Sequence, residues 1–241
     1  MSRLRLASGN GSTGGAFSSI PLVQLAWLAH SAGCSAWQCL AGASRLPNGN
    51  WRRQQFVGTE LYGKTIGIVG AGKIGYLTAR RAQSFGMKVL AYDPFISRDN
   101  ILLSELNADL VSLDALLARA DVVSCHLPAT RDTAGLFNAE RFAKMKSTAT
   151  FINTSRGEVV VEKDLLDALT SGSIAGAALD VRAKEPPQPG GLERLPNLIL
   201  TPHVAAFTHE AQARVTNAIC EDVAFTFRAE LGRCRPVQTE P

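Results

Sequence analysis

The 241-residue chain contains four histidines, His30, His126, His203 and His209, and one of them has neighbours that could put it to chemical use. His203 closes the run Leu200-Thr201-Pro202-His203, at the end of an apolar stretch that reads as a strand. Arg156 follows a second such stretch, in Ile152-Asn153-Thr154-Ser155-Arg156-Gly157, and Glu185 follows a third, Leu179-Asp180-Val181. In a doubly wound sheet, ligands gather beyond the carboxyl ends of the strands. An Arg, an Asp, a Glu and a His are therefore expected along one edge of one sheet. An arginine fork grips a carboxylate bidentately and polarises a carbonyl beside it. An imidazole passes a proton near neutrality, and a carboxylate next to it orients the ring and favours the imidazolium. Reduction of a 2-oxo acid needs these groups. Taken singly, each has a blander reading as a surface charge or a packed ring. Their shared position is what points to a site.

A second group of residues suits a phosphate. Gly70-Ala71-Gly72-Lys73-Ile74-Gly75 is a G-x-G-x-x-G that follows the apolar run Thr65 to Val69 and opens a helical pattern from Ile74 to Phe85. In that context Gly70 permits a tight turn, Gly72 lets backbone approach a pyrophosphate, and Gly75 lets helix and strand pack closely. The helix N-terminus then faces the phosphates, with Lys73 adding a mobile charge. The next strand, Met87 to Tyr92, closes on Asp93, 18 residues past Gly75. A carboxylate there accepts hydrogen bonds from ribose hydroxyls and repels a 2′-phosphate, which favours NAD over NADP. The alternative is that the glycines make only a turn and Asp93 only starts the Asp93-Pro94 turn.

These residues need elements to hold them. After Tyr92 the patterning predicts a helix over Leu113 to Ala120, a strand over Asp121 to Leu127 and a short helix around Phe142. A strand over Ala149 to Asn153 follows, then a helix over Glu162 to Ser171 that Gly172 stops. Further strands span Ile174 to Val181 and Leu198 to Thr201, and one long helix runs from Thr208 to about Glu230. Alternating strands and helices mark an α/β fold with a doubly wound parallel sheet. The continuous apolar character of Ile66-Gly67-Ile68-Val69 and Asp121-Val122-Val123 suits strands covered on both faces.

The composition sets outer bounds. Charged residues make up 19% and the formal net charge is +4, too small to suggest nucleic acid as a partner. The charge is uneven. The first 59 residues hold five arginines and no lysine or acid, and residues 6–44 hold no charged side chain. Arg3 and Arg5 precede the apolar patch Ile20 to Ala29. An uncharged buried helix after a Gly/Ser loop is the first expectation there, and an organelle transit segment the alternative. Gln24 and His30 interrupt the patch too soon for a membrane span. The five cysteines, Cys34, Cys39, Cys125, Cys220 and Cys234, include no Cys-x-x-Cys and no zinc spacing. Free thiols in a reducing compartment, no metal and a cytoplasmic protein are expected.

The motifs together resemble a known family. The run Gly58-Thr59-Glu60-Leu61-Tyr62-Gly63-Lys64-Thr65-Ile66-Gly67-Ile68-Val69-Gly70 is similar to the start of the NAD domain of the D-isomer-specific 2-hydroxyacid dehydrogenases. So are Ser84-Phe85-Gly86-Met87, Tyr92-Asp93-Pro94, His126-Leu127-Pro128, Asn153 to Gly157, Gly176 to Val181 and Thr201-Pro202-His203. Within the family, Phe56 to Leu61 and Ser84 to Met87 look closest to the D-3-phosphoglycerate dehydrogenase branch, which serves serine biosynthesis.

By position, the resemblance implies that Arg156 binds the substrate carboxylate and carbonyl, that His203 is the general acid and base, and that Glu185 is its partner. It further implies that Asp180 holds the nicotinamide carboxamide with help from the backbone at Thr154. Lys73 and Ile74 would meet the pyrophosphate, Asp93 the ribose, and Leu127 and Pro128 the adenosine side. The expected organisation is a divergent segment over residues 1–57 with an interdomain and dimerisation helix, a Rossmann domain over 58–206, and a C-terminal helix over 207–241 returning toward the substrate-domain side. Only remnants of a substrate domain are expected. Residues 14–45 match the family poorly, and the acid it carries near Ala16 is absent. A homodimer acting on a small 2-hydroxy or 2-oxo acid, with 3-phosphoglycerate as substrate, is the first expectation. An NAD-binding interaction module without turnover, or a glyoxylate or hydroxypyruvate reductase, are the alternatives.

Overall fold

The computed structural model describes residues 59–97, 105–188 and 190–231. The expectations for residues 1–57, including the dimerisation helix and the transit segment, lie outside the described residues. So do Cys34, Cys39 and Cys234.

Among the described residues, seven parallel strands form one sheet in the order β3-β2-β1-β4-β5-β6-β7. They are β1 (Thr65–Val69), β2 (Lys88–Tyr92), β3 (Asp109–Leu110), β4 (Val122–Cys125), β5 (Thr150–Asn153), β6 (Gly176–Leu179) and β7 (Leu198–Leu200). Among the described residues the α-helices are α1 (Lys73–Ser84), α2 (Leu113–Arg119), α3 (Ala139–Ala143), α4 (Glu162–Ser171) and α5 (His209–Leu231). The predicted fold class is thus observed. Strand order reverses at β1, whose neighbours are β2 and β4, so a crevice opens where their connections leave in opposite directions.

Alternation along the strands divides the core between two faces. Ile66, Ile68, Val122, Ile152 and Ala178 pack with Ala79 and Ala82 of α1. Val69, Val123, Phe151, Ala177 and Leu179 pack with Leu116 and Leu117 of α2, Phe142 of α3, and Leu165 and Leu169 of α4. Gly67 belongs to this second face: a Cβ there would meet Leu116 at 2.3 Å, so the missing side chain lets α2 settle onto β1. Phe137, Phe142 and Phe151 form a buried aromatic cluster, with centroids of Phe137 and Phe151 4.6 Å apart.

Local chemistry ends the helices where propensity expects. The Ser112 hydroxyl accepts from Ala115 N–H at the start of α2, and Asn138 accepts from Arg141 N–H at the start of α3. Glu162 and Asp164 lie in the first turn of α4, and Gly172, at φ +74°, closes its last turn.

The structure departs from the sequence expectations in two ways. Strand β3 is not foreseen; two residues, one of them Asp, carry no periodicity to read. Several strands are also shorter than predicted. The stretch Asp121 to Leu127 pairs only over Val122–Cys125, because the chain turns out of the sheet at His126 to edge the crevice. On α5, Val215, Ile219, Val223 and Phe227 lie four residues apart and are exposed. Among the described residues, no helix is long and apolar enough to cross a membrane.

Candidate active site

The glycine turn sits at the carboxyl end of β1. Gly70 has φ +94°, and a Cβ there would lie 3.0 Å from the His126 carbonyl oxygen. A Cβ on Gly75 would lie 2.2 Å from the Gly70 carbonyl oxygen. Both glycines are therefore demanded by the protein's own packing. Gly72 is not: its φ is −68°, and nothing lies within 4 Å of where a Cβ would be. It fronts the N-terminus of α1, which has no side-chain cap and no acid in its first turn. An uncapped, positive helix end behind an open glycine is a fitting cradle for the pyrophosphate of a dinucleotide. Lys73 stands exposed and Ile74 half-buried on that first turn.

Asp93 follows β2 and reaches across to this turn. Its Oδ2 accepts from Ala71 N–H at 3.0 Å, and its Oδ1 from Phe95 N–H at 2.9 Å. Each oxygen keeps a lone pair for a further donor. On the opposite side of the crevice Leu127 is buried in the core and its Cδ2 abuts Gly70, while Pro128 is exposed at the rim. The neighbouring His126 is no candidate acid: burial pushes its imidazolium down to about 3, and Nε2 lies 3.1 Å from the Ser124 hydroxyl.

Beyond β5, a polar residue that the sequence reading assigned no role organises the turn. Asn153 is fully buried; its Oδ1 accepts from Ser155 N–H and Oγ–H, and its Nδ2 donates to the Arg156 carbonyl at 2.8 Å. Thr154 is buried beside it. The turn presents Arg156 to solvent, its Nη1 held by the Ser155 carbonyl at 2.7 Å. An Asn closing the otherwise apolar run Phe151-Ile152-Asn153 was the available signal.

Beyond β6 and β7, Glu185 and His203 meet. Glu185 Oε2 and His203 Nδ1 are 2.8 Å apart. An ionised carboxylate only accepts, so Nδ1 carries the proton and Nε2 is left as the exchangeable position. The His203 imidazole, the Arg182 N–H and the positive field of Arg156 hold the Glu185 carboxyl below its ordinary range. His203 adopts φ +55°, in the left-handed region.

Asp180 keeps His203 there. It is 1% exposed, and its carboxylate accepts from Thr201 Oγ–H, from Val204 N–H at 2.9 Å and from Ala205 N–H at 2.8 Å, while its carbonyl accepts from His203 N–H. This carboxylate, expected to meet a nicotinamide amide, thus turns chiefly toward the loop that carries His203. A cavity of about 420 Å³ opens beside the pair, lined by Asp180, Arg182, Glu185, Glu193, Thr201 and His203 among others.

The structure therefore brings Arg156, Asp180, Glu185 and His203 to adjoining strand ends, and places Gly70, Gly72, Gly75 and Asp93 around the crevice at the reversal of strand order. Among the described residues, no cluster of His, Cys, Asp or Glu is set to hold a metal.

A doubly wound sheet with a glycine turn, an acid closing the second strand and a His–Glu pair is the arrangement of the NAD-binding domain of a nicotinamide-dependent dehydrogenase. Comparison with known proteins names the family. A model of the D-isomer specific 2-hydroxyacid dehydrogenase NAD binding domain matches residues 35–205, and the chain belongs to that family. It is 46% identical over 191 residues to a D-3-phosphoglycerate dehydrogenase of Synechocystis, covering 76% of this chain and 34% of the relative. The chain thus spans about a third of the length of the curated relatives it matches. Among solved structures it is similar to the NAD-dependent formate dehydrogenase of Staphylococcus aureus in complex with NAD, with a TM-score of 0.80, 29% identity, and coverage of 95% of this chain and 66% of that one. It is also similar to a glyoxylate reductase from Paecilomyes thermophila, with a TM-score of 0.75, 30% identity, and coverage of 88% and 62%.

Proposed function

We propose that the chain supplies the cofactor half and the proton-handling residues of an NAD-dependent D-2-hydroxyacid dehydrogenase, with 3-phosphoglycerate as the substrate. The observation that carries this is the 2.8 Å contact between Glu185 and His203 Nδ1, on the same sheet edge as Arg156 and the glycine turn. NAD, when bound, supplies hydride exchange at the substrate C2. The first turn of α1, with Gly72, Lys73 and Ile74, holds the pyrophosphate, and Asp93 takes the ribose hydroxyls. Leu127 and Pro128 flank the adenosine. Asp180 keeps one lone pair on Oδ2 for a nicotinamide amide N–H, beside the backbone at Thr154.

Arg156 grips the substrate carboxylate through its fork and draws charge from the adjoining carbonyl. In the reducing direction, His203 delivers the proton from Nε2 to the developing alkoxide. In the oxidising direction it takes that proton from the hydroxyl. Glu185 stabilises the imidazolium and prevents rotation of the ring. The side chains of Glu185 and His203 are 38% and 52% exposed, so the described residues alone do not shield the pair from water.

The substrate assignment draws on the D-3-phosphoglycerate dehydrogenases among the relatives. The domain limits 1–57, 58–206 and 207–241, a homodimer and a cytoplasmic setting belong to the same reading. The exposed apolar residues of α5 support its packing on a further body.

The test is an NADH titration of the purified chain, followed by absorbance assays with 3-phosphohydroxypyruvate, glyoxylate and hydroxypyruvate. Turnover of the phosphorylated acid that is lost in His203→Ala, with NADH binding kept, is the expected result. Preference for either smaller acid overturns the substrate assignment. Binding without turnover overturns the chain's activity as an enzyme.

A further inference from the structure

Between β6 and β7 the chain makes a loop that carries Glu185, and both of its ends are held by one side chain. Arg182, with 9% of its side chain exposed, donates from Nε and Nη2 to the two oxygens of Glu162, each at 2.9 Å. Its Nη1 donates to Glu193 Oε1 at 2.8 Å. Glu162 begins α4, and its Oε1 also accepts from Ala183 N–H at 2.9 Å. Glu193 stands at the far end of the loop, where its Oε2 accepts from Gly190 N–H at 3.0 Å. One guanidinium thus joins the start of the loop, its end and the helix beneath it. The bonds from Arg182 hold the Glu162 carboxyl below its usual range and Glu193 at about 2, so both acceptors stay ionised.

The clamp reaches the site through the backbone. Arg182 N–H donates to Glu185 Oε1 at 3.0 Å, while Oε2 of the same carboxylate meets His203. The carbonyl carbon and oxygen of Arg182 lie 2.0 and 2.1 Å from where a Cβ on Gly157 would be, so the Arg156 turn rests directly on this backbone. Displacing Arg182 displaces the donor that aims Glu185 and the floor beneath Arg156.

We infer that Arg182, forked onto Glu162 and tied to Glu193, is a positioning residue for the Glu185–His203 pair. The inference rests on the proposed proton-handling role of that pair. Its guanidinium is consumed by two carboxylates and touches no reacting atom; it acts by fixing where the Glu185 carboxylate stands. A bidentate fork specifies an orientation that a lysine, with a single mobile ammonium, does not.

The test reads the imidazole, not the turnover. The full chain is labelled with ¹⁵N-histidine, and the ring nitrogens are followed under alkaline conditions, where free imidazole is neutral. The four histidine signals are assigned by substitution. Wild-type His203 should show a single tautomer protonated at Nδ1, and Glu185→Gln should lose it. Arg182→Met should lose it too, with the signals of the other histidines and NADH binding unchanged. Where turnover is measurable, kcat should fall on the order of 10–100-fold. If Arg182→Met fails to fold, Arg182→Lys decides, since it keeps the charge without the fork. A wild-type tautomer that survives in Arg182→Met, or in Arg182→Lys where Met does not fold, overturns the inference. A wild-type chain lacking that tautomer breaks the Glu185–His203 pair itself, and the proposed function with it. A wild-type chain that has the tautomer but no turnover leaves the clamp standing and removes only the activity.

Discussion

His203 and His126 show how environment assigns different work to one residue type. His203 is half-exposed and paired with a carboxylate. His126 is half-buried at the crevice, and desolvation of its ring holds it at about 3, against an ordinary value of 6.5. The unfolded chain therefore binds a proton at this position that the folded chain refuses. The sign is fixed by linkage: the penalty is absent above pH 6.5 and grows as the pH falls toward 3. Thermal unfolding followed against pH should show a steeper loss of Tm across that window in the wild type than in His126→Gln. Parallel curves would mean that His126 titrates as it does in the unfolded chain. That Arg156, Glu185 and His203 share one edge was legible in the sequence, because each follows an apolar run and strand ends in such folds meet there. Arg182 was not, because its meaning depends on Glu162, 20 positions away in sequence, and on Glu193, neither of which has a local signature.

The glycine turn separates structural from functional requirements within a single element. Gly75 has no room for a side chain; Gly75→Ala drives a methyl against the Gly70 carbonyl and should cost about 1–3 kcal/mol of stability. Gly72→Ala meets nothing and should leave Tm almost unchanged, yet weaken NADH binding about tenfold or more by occupying the cradle. Thermal unfolding and NADH fluorescence titration on both variants check this split, and equal effects of the two on Tm would refute it. The aromatic cluster offers a second element-scale expectation. Phe151 is fully buried between Phe137 and Phe142, so Phe151→Ala should destabilise the fold by about 3–5 kcal/mol in denaturant unfolding. The longer elements were readable because their periodicity is unambiguous and their stops are chemical, as at Gly172. Strand β3 was not, since two residues borrow their conformation from pairing with Leu90 and Ala91 and signal nothing by themselves.

At the scale of the whole molecule, the crevice proposed for the cofactor spans the seam between the two directions in which the sheet grows, so occupancy should stabilise all of it together. NADH at about a hundredfold over its Kd should add roughly 2.7 kcal/mol, seen as a rise in Tm that continues with ligand concentration. A Tm indifferent to NADH would show that the folded chain does not bind it.

The strand order has a consequence for how the molecule comes into being on the ribosome. Strand β1 is synthesised before the other six and ends near the middle of the sheet. β2 and then β3 extend one side; β4 returns to the open flank of β1, and β5, β6 and β7 follow outward in turn. Each strand after β1 therefore finds its partner already translated and its landing edge still vacant, and none has to be threaded between two others. The crevice proposed for the nucleotide is flanked on both sides once β4 docks, early in this sequence. His203 emerges only after β7, so on the proposed roles a nascent chain would be equipped to hold a dinucleotide well before it is equipped to move a proton.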